Sequence, residues 1–241
     1  MFAFDGIYTD EDGQNELSSS YLCDILHAVV NGSDGTLFCF GHANLGKSYT
    51  MIGSDESSRT VGIIPTAISW LFKCIKEKKD KSAARFSVRV SACEIRGANE
   101  ELRDLLSVHA TESDTDPGMY NRDGRFSGVG IQNLSEIRAH NAEKTGYYLD
   151  YALSSRSVDS QGRDSHFIYT IHVYQHSAAS QNVGQPNANV LLGGRSRLHL
   201  IDFGCCERTK TIGGSITQAG LGNVILGIIN GQRHLPFRHR C

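Results

Sequence analysis

Gly35-Thr36-Leu37-Phe38-Cys39-Phe40-Gly41-His42-Ala43-Asn44-Leu45-Gly46-Lys47-Ser48-Tyr49-Thr50 is the stretch on which the reading of this chain turns. Leu37 to Phe40 is a short apolar run that predicts a buried strand, and it feeds directly into Gly41-x-x-x-x-Gly46-Lys47-Ser48, the phosphate-loop pattern. In such a loop the glycines let backbone N–H groups turn inward around a phosphate. Lys47 would reach the outer phosphates as a point charge, and the Ser48 hydroxyl would ligate Mg²⁺ at a helix N-terminus. Gly41, His42, Ala43, Asn44, Leu45, Gly46, Lys47, Ser48 and Tyr49 are therefore the expected nucleotide-binding run.

The rest of the chain bounds what this loop can serve. At 241 residues it can bury a substantial core, and no Pro/Ser linker or repeat divides it, so a single α/β domain over 1–241 is expected. The net charge of -2 gives no global pull toward nucleic acid or an anionic membrane, and neither is expected as a partner. No apolar run is long enough to span a bilayer, and Met1 to Gly6 lacks the basic and apolar regions of a signal peptide, which predicts a cytosolic protein. The seven cysteines include no C-x-x-C pair and read as reduced, mostly buried thiols. His172 and His176 have the spacing of a helical metal pair, but Phe167 to Tyr174 has strand periodicity, which sets the two imidazoles too far apart to share one ion easily.

Outward from the loop the elements fall in a regular order. Phe2 to Tyr8 alternates like a strand. Tyr21, Leu22, Ile25, Leu26 and Val29 recur at helical spacing between Leu17 and Val30, with Asn31-Gly32 as a stop. A helix is expected to begin at Ser48 and to break at the polar tract Ser54 to Thr60. It resumes at Pro65 with Ala67, Ile68, Leu71, Phe72 and Ile75 on one face. Lys76, Lys78, Lys79 and Lys81 read as its solvated end, cations being favourable at the negative pole of the helix dipole, in preference to a basic contact surface.

Ala84 to Ile95 predicts a long strand with one wet face, and Glu100 to Leu106 a short helical turn before the polar stretch Ser107 to Gly130. Asn141 is placed to cap a helix through Leu153, with Tyr147, Tyr148 and Tyr151 facing or shielding the core. Strands are expected over His166 to Tyr174 and Leu198 to Phe203, on either side of a disordered-looking segment, Ser177 to Asn189. A glycine-interrupted helix is expected over Gly220 to Ile229.

Taken in order, these pieces resemble a kinesin motor domain. Phe2-Ala3-Phe4-Asp5 is similar to the family's early F-x-F-D, and Gly41 to Met51 to its loop G-Q-T-x-x-G-K-S/T-x-T-M. Gly62-Ile63-Ile64-Pro65 matches G-I-I-P, Val90 to Ile95 matches V-S-x-x-E-I, and Arg103 to Leu106 matches R-D-L-L. Ser165-His166 falls where the first switch ends in R-S-H, and Leu200-Ile201-Asp202 where L-V-D opens the second. Leu221 to Ile225 matches L-G-N-V-I, and His234 to Arg238 resembles H-V-P-Y-R.

The resemblance implies a P-loop NTPase-type α/β fold, a central twisted sheet flanked by helices, with ATP or ADP and Mg²⁺ as ligands and a microtubule as partner. Ser48 and Asp202 would hold the Mg²⁺, Asp202 through a water, while Ser165, Asp202 and Glu207 would carry the catalytic roles. Arg233, His234, Arg238 and Arg240 would face acidic tubulin, which places the protein on the cytoskeleton. The family's earlier R-x-R-P strand and its later helices and neck have no counterpart, so the resemblance implies a fold incomplete at both ends.

The departures bear on turnover. Asp164 stands at the arginine position of the first switch, so its expected attraction to Glu207 becomes a repulsion unless Arg163 shifts by one place. Cys205 stands where a glycine would offer its N–H to the γ-phosphate, and a side chain is costly there if φ is positive. Nucleotide binding is expected to outlast hydrolysis, as in the divergent, non-motile kinesins. The alternatives are another P-loop NTPase, a kinase suggested by Asp202-Phe203-Gly204 but lacking H-R-D and V-A-I-K, and a non-enzymatic pseudo-motor that scaffolds signalling partners.

Overall fold

Two long strands form the centre of the molecule because their side chains alternate apolar with polar over a dozen residues. These are β2 (Arg85–Arg96) and β5 (Ser165–Ser177), paired antiparallel along their length. The computed structural model describes residues 4–9, 11–42, 44–54, 56–57, 59–82, 84–96, 101–110, 134–156, 165–177, 192–204 and 218–232. Around the central pair lie β1 (Gly35–Cys39), β3 (Glu101–Asp104), β4 (Ile137–Ala139) and β6 (Leu192–Asp202). The sheet runs β1-β6-β5-β2-β3, with β4 also on β2, and only the β1·β6 pair is parallel. The helices are α1 (Gln14–Val30), α2 (Lys47–Met51), α3 (Ile63–Lys81), α4 (Ala142–Ser155) and α5 (Gln218–Ile229).

One face of the sheet is apolar and carries the core. Val88, Val90 and Ala92 of β2, Phe167, Tyr169, Ile171 and Val173 of β5, and Leu198 and Leu200 of β6 pack in one cluster with α1, α3 and α4. Ala67, Ile68, Leu71 and Ile75 are buried, and Phe72 is partly so, as the spacing predicts. Asn141 caps α4 by accepting from Lys144 N at 2.8 Å. Lys78 is not a solvated terminus: its Nζ donates to Val30 O at 2.9 Å and Asn31 Oδ1 at 2.7 Å, closing the C-terminal end of α1 from a neighbouring helix.

The opposite face is polar. Ser91 Oγ lies 2.9 Å from His172 Nε2, Thr170 Oγ1 lies 2.9 Å from His199 Nδ1, and Arg195 Nη2 lies 2.5 Å from Glu136 Oε1. Glu136 Oε1 is also 3.8 Å from His172 Nδ1, a Ser-His-Glu order that looks like a hydrolase triad. The tautomer argues otherwise: Arg195 Nη2 donates to Nδ1 at 2.9 Å, so the ring proton sits on Nε2 and points at Ser91. That imidazole cannot act as a base toward the serine, and the group is a buried structural network.

Four further expectations change. Of Leu37 to Phe40, the first three residues lie in β1 and Phe40 just past it, and the run is not buried, Phe38 and Phe40 being 41% and 38% exposed. Among the described residues β1 is the sheet's edge, so only β6 flanks it. Residues 4–9 form no strand, and Phe4 and Ile7 are 74% and 82% exposed, because alternation alone supplies no partner edge. Glu101–Asp104 is a strand on Cys93 to Arg96 where a helical turn was expected, since a free edge of β2 outweighs local propensity. Helix α1 begins at Gln14, ahead of Leu17, because the Gln14 side chain is buried and donates to Tyr49 O at 2.7 Å. The disordered-looking segment and most of the polar stretch after Ser107 lie outside the described residues.

Candidate functional site

The site follows from the parallel pairing of β1 and β6. Their register sets Cys39 opposite Asp202, so the loop leaving β1 and the last residue of β6 emerge side by side at the carboxyl ends of the two strands. Beyond Ala43, the backbone is left-handed at Asn44 (φ 57°) and Gly46 (φ 78°). Asn tolerates that region, and at Gly46 the conformation requires glycine. A Cβ built on Gly46 would meet nothing within 4 Å, so the space beside Gly46 is open. Helix α2 starts at Lys47, and Gln14 holds it through the carbonyl of Tyr49.

The charged side chains converge on this loop. Lys47 Nζ donates to His42 O at 2.6 Å, folding back across the turn. Ser48 Oγ donates to Asp202 Oδ2 at 2.7 Å. Asp202 is 1% exposed, and its Oδ1 is buried without a hydrogen-bond partner. Arg156, at the end of α4, brings Nη1 to 3.5 Å from Asp202 Oδ2 while Nη2 donates to Ser165 O and Oγ at 3.4 and 3.3 Å. Gly204 N donates to His166 Nδ1 at 3.0 Å, and the Phe203 ring lies edge-on between His166 and Phe38. The Cys39 thiol is pushed up to about 11, by burial first and then by the charge of Asp202, with Lys47 opposing; it stays protonated beside the site.

These residues fit a nucleotide with Mg²⁺. The loop's left-handed residues suit a phosphate cradle, Lys47 supplies a cation beside it, and Ser48 with the orphaned Asp202 Oδ1 the oxygen donors a hard divalent ion takes. The structure brings together Gly41, His42, Asn44, Leu45, Gly46, Lys47, Ser48, Tyr49 and Asp202, and reaches Ser165 through Arg156. Ala43, Glu207, Arg163, Asp164, Cys205, Arg233, His234, Arg238 and Arg240 lie outside the described residues. Sequence reasoning missed Arg156 and gave His166 no role. The available signal was a lone cation directly after an amphipathic helix, facing a strand that ends in a buried carboxylate.

Among the described residues Cys23, Cys39, Cys74 and Cys93 are free thiols, but only Cys93 is buried, Cys39 and Cys74 being partly exposed and Cys23 exposed, so the expectation of mostly buried thiols does not hold for them. No described helix is long and apolar enough to cross a membrane.

Comparison with known proteins gives a consistent result. A family model described as the kinesin motor domain matches residues 1–240. The chain is 47% identical over 253 residues to the human kinesin-like protein KIF26B, covering 99% of this chain and 12% of that protein. It is 46% identical over 257 residues to mouse kinesin-like protein KIF26A, covering 100% and 13%, and 38% identical over 263 residues to the Drosophila melanogaster kinesin-like protein CG14535, covering 99% and 22%. It thus spans less than a quarter of the length of each of these relatives. Among solved structures, a fast kinesin, whose study concerned the ATPase mechanism and interactions with microtubules, superposes with a TM-score of 0.74 at 23% identity, over 98% of this chain and 66% of that one.

Proposed function

The chain belongs to the kinesin motor domain family, and from that premise we propose that residues 1–241 act as one domain that binds ATP or ADP with Mg²⁺ at Gly41–Ser48, engages microtubules, and hydrolyses nucleotide slowly or not at all. The observation that carries the nucleotide reading is the Ser48 Oγ to Asp202 Oδ2 hydrogen bond of 2.7 Å beside an unpartnered Asp202 Oδ1. A hydroxyl and a carboxylate held together, next to an open amide turn and a lysine, are what a phosphate tail with a divalent ion requires.

Each residue's part follows from its place. The turn from Gly41 to Gly46 presents amides, and Lys47, resting on His42 O, supplies charge for the outer phosphates. Ser48 and Asp202 would hold the ion. A bound Mg²⁺ nucleotide supplies the phosphoryl group and spreads its charge. Ser165 and Glu207 are assigned to orienting water, and this is the weaker half: Asp164 carries the wrong sign for Glu207, and Cys205 adds a side chain where a bare amide is wanted. The same two departures support a second reading, a pseudo-motor that holds nucleotide and scaffolds partners. Arg233, His234, Arg238 and Arg240 would supply local positive charge for acidic tubulin on a chain of net charge -2, which supports a role on the cytoskeleton.

Titration of ATP and ADP with Mg²⁺, run beside microtubule co-sedimentation and a phosphate-release assay, tests this. Saturable nucleotide binding lost in Lys47→Ala, together with co-sedimentation and little microtubule-stimulated release, is the expected result. Fast turnover abolished by Lys47→Ala would remove the claim of slow hydrolysis. A folded protein that ignored both nucleotide and microtubules would remove the whole reading.

A further inference from the structure

Among the described residues, Arg156 is the only cation within 4.0 Å of Asp202, and the nucleotide reading gives it no work. Its placement is built. The guanidinium lies 5.1 Å over the Phe167 ring, its side chain is 18% exposed, and its N–H groups divide between Asp202 Oδ2 at 3.5 Å and both oxygens of Ser165 at 3.3 and 3.4 Å. Stacked on the ring and bonded to Ser165, the guanidinium is held beside the carboxylate. It links the strand start that follows the first-switch segment to the strand end that opens the second.

We propose that Arg156 is a positioning residue that neutralises Asp202 from within the chain and thereby lowers the dependence of nucleotide binding at Gly41–Ser48 on Mg²⁺. The inference rests on the nucleotide reading above. Asp202 is buried and directly bonded to the serine that follows the loop lysine, so its charge faces any phosphate tail seated there. A divalent ion ordinarily offsets that charge. Here a cation of the protein already does, leaving less negative charge to recruit the ion and less repulsion toward a metal-free nucleotide. Removing Arg156 shifts both in one direction: metal-free nucleotide binds more weakly, and the ion binds more tightly.

The measurement is the dissociation constant of ADP for the whole chain, in excess Mg²⁺ and in EDTA, taken as a ratio. In wild type the two values should lie within about tenfold of each other, and Arg156→Gln should widen the ratio about tenfold further. Arg156→Lys should restore most of the wild-type ratio, and Arg156→Gln should widen the ratio less in an Asp202→Asn background, because the ion-recruiting part of its effect runs through that carboxylate. Asp202→Asn alone should tighten metal-free binding, since it frees the guanidinium; this arm stands even if Arg156→Gln does not fold. Binding with a ratio unmoved by Arg156→Gln, or metal-free binding not tightened by Asp202→Asn, overturns the inference and leaves the nucleotide site standing. Wild-type protein that binds no ADP in either condition overturns both.

Discussion

The backbone amide of Gly204 donates to Nδ1 of His166 at 3.0 Å, fastening the chain just past β6 to the start of β5. The ring is buried and also meets Phe203 edge-on at 5.4 Å. A neutral imidazole with its acceptor nitrogen committed in this way acts as a clasp between the two switch segments.

His166→Ala removes the acceptor and the ring together, leaving the Gly204 N–H without this partner. A loss of about 1–3 kcal/mol is expected in urea unfolding, the range for losing a hydrogen bond together with a packed side chain. Increased protease cleavage just past Phe203 should accompany it. Unchanged stability with unchanged cleavage would show that the clasp holds nothing.

Ser48→Ala separates two roles of one hydroxyl. The protein without ligand loses a donor to a buried carboxylate whose other oxygen already has no partner, so stability should fall by about 1–3 kcal/mol. The benefit of Mg²⁺ to nucleotide affinity should fall as well, while Ser48→Thr keeps both. If only stability changed, Ser48 would be a structural clamp on β6 and the ion would have to be held elsewhere.

Much of this site was legible because a phosphate loop is written in contiguous residues. Gly41 to Ser48 announces itself, and the strand before it and helix after it need only short-range pattern. Asp202 became legible through its neighbours Leu200 and Ile201. Arg156 did not, since its importance lies in a contact with a residue 46 positions away that no local period encodes. The same physics separates the elements: α3 and α4 are set by 3.6-residue spacing and a cap, whereas the short β3 exists because β2 offers an edge, and residues 4–9, though alternating, find none. The half-exposed Phe38 is likewise a property of β1's position in the sheet and not of its composition.

Gly62→Ala should be among the more damaging single substitutions outside the core. Gly53 and Gly62 sit back to back where the chain returns from the polar tract, and Gly53 ↔ Val61 is an isolated bridge. A Cβ on Gly62 would stand 2.3 Å from the Ile52 carbonyl carbon, and the clashing atom is backbone, which cannot rotate away. A cost of about 3 kcal/mol is expected, at the upper end of ordinary single-residue effects. It should be read by thermal or urea unfolding with Gly13→Ala, where a Cβ meets nothing within 4 Å, as the control. Equal effects at the two positions would mean that the Gly53–Gly62 contact opens at little cost.

Stability should fall with mild acid, and His172 should account for much of the slope. Burial, and then the charges of Arg195, His199, Arg197 and Arg89, hold its imidazole well below the ordinary value of 6.5. His199, half-buried on the same face, is lowered by burial and Arg197, with Asp34 opposing. Glu136 approaches His172 Nδ1 at 3.8 Å, but its carboxylate is already engaged by Arg195 and Tyr174. Above pH 6.5 folded and unfolded chains both keep His172 neutral, and the site contributes no pH dependence. As pH falls below 6.5 the unfolded chain takes up a proton that the folded chain refuses, so the folded state loses ground. For a fully suppressed imidazole the loss reaches about 1.4 kcal/mol by about pH 5.5. Urea unfolding between about pH 7.5 and 5.5, above the range where carboxylates titrate, confines the change to histidines, and the comparison with a His172 variant separates its share. His172→Gln, which can still hydrogen-bond Ser91 but cannot titrate, should start less stable and show a visibly flatter slope. The same slope in both proteins would place the acid sensitivity in other groups and remove His172 from the account.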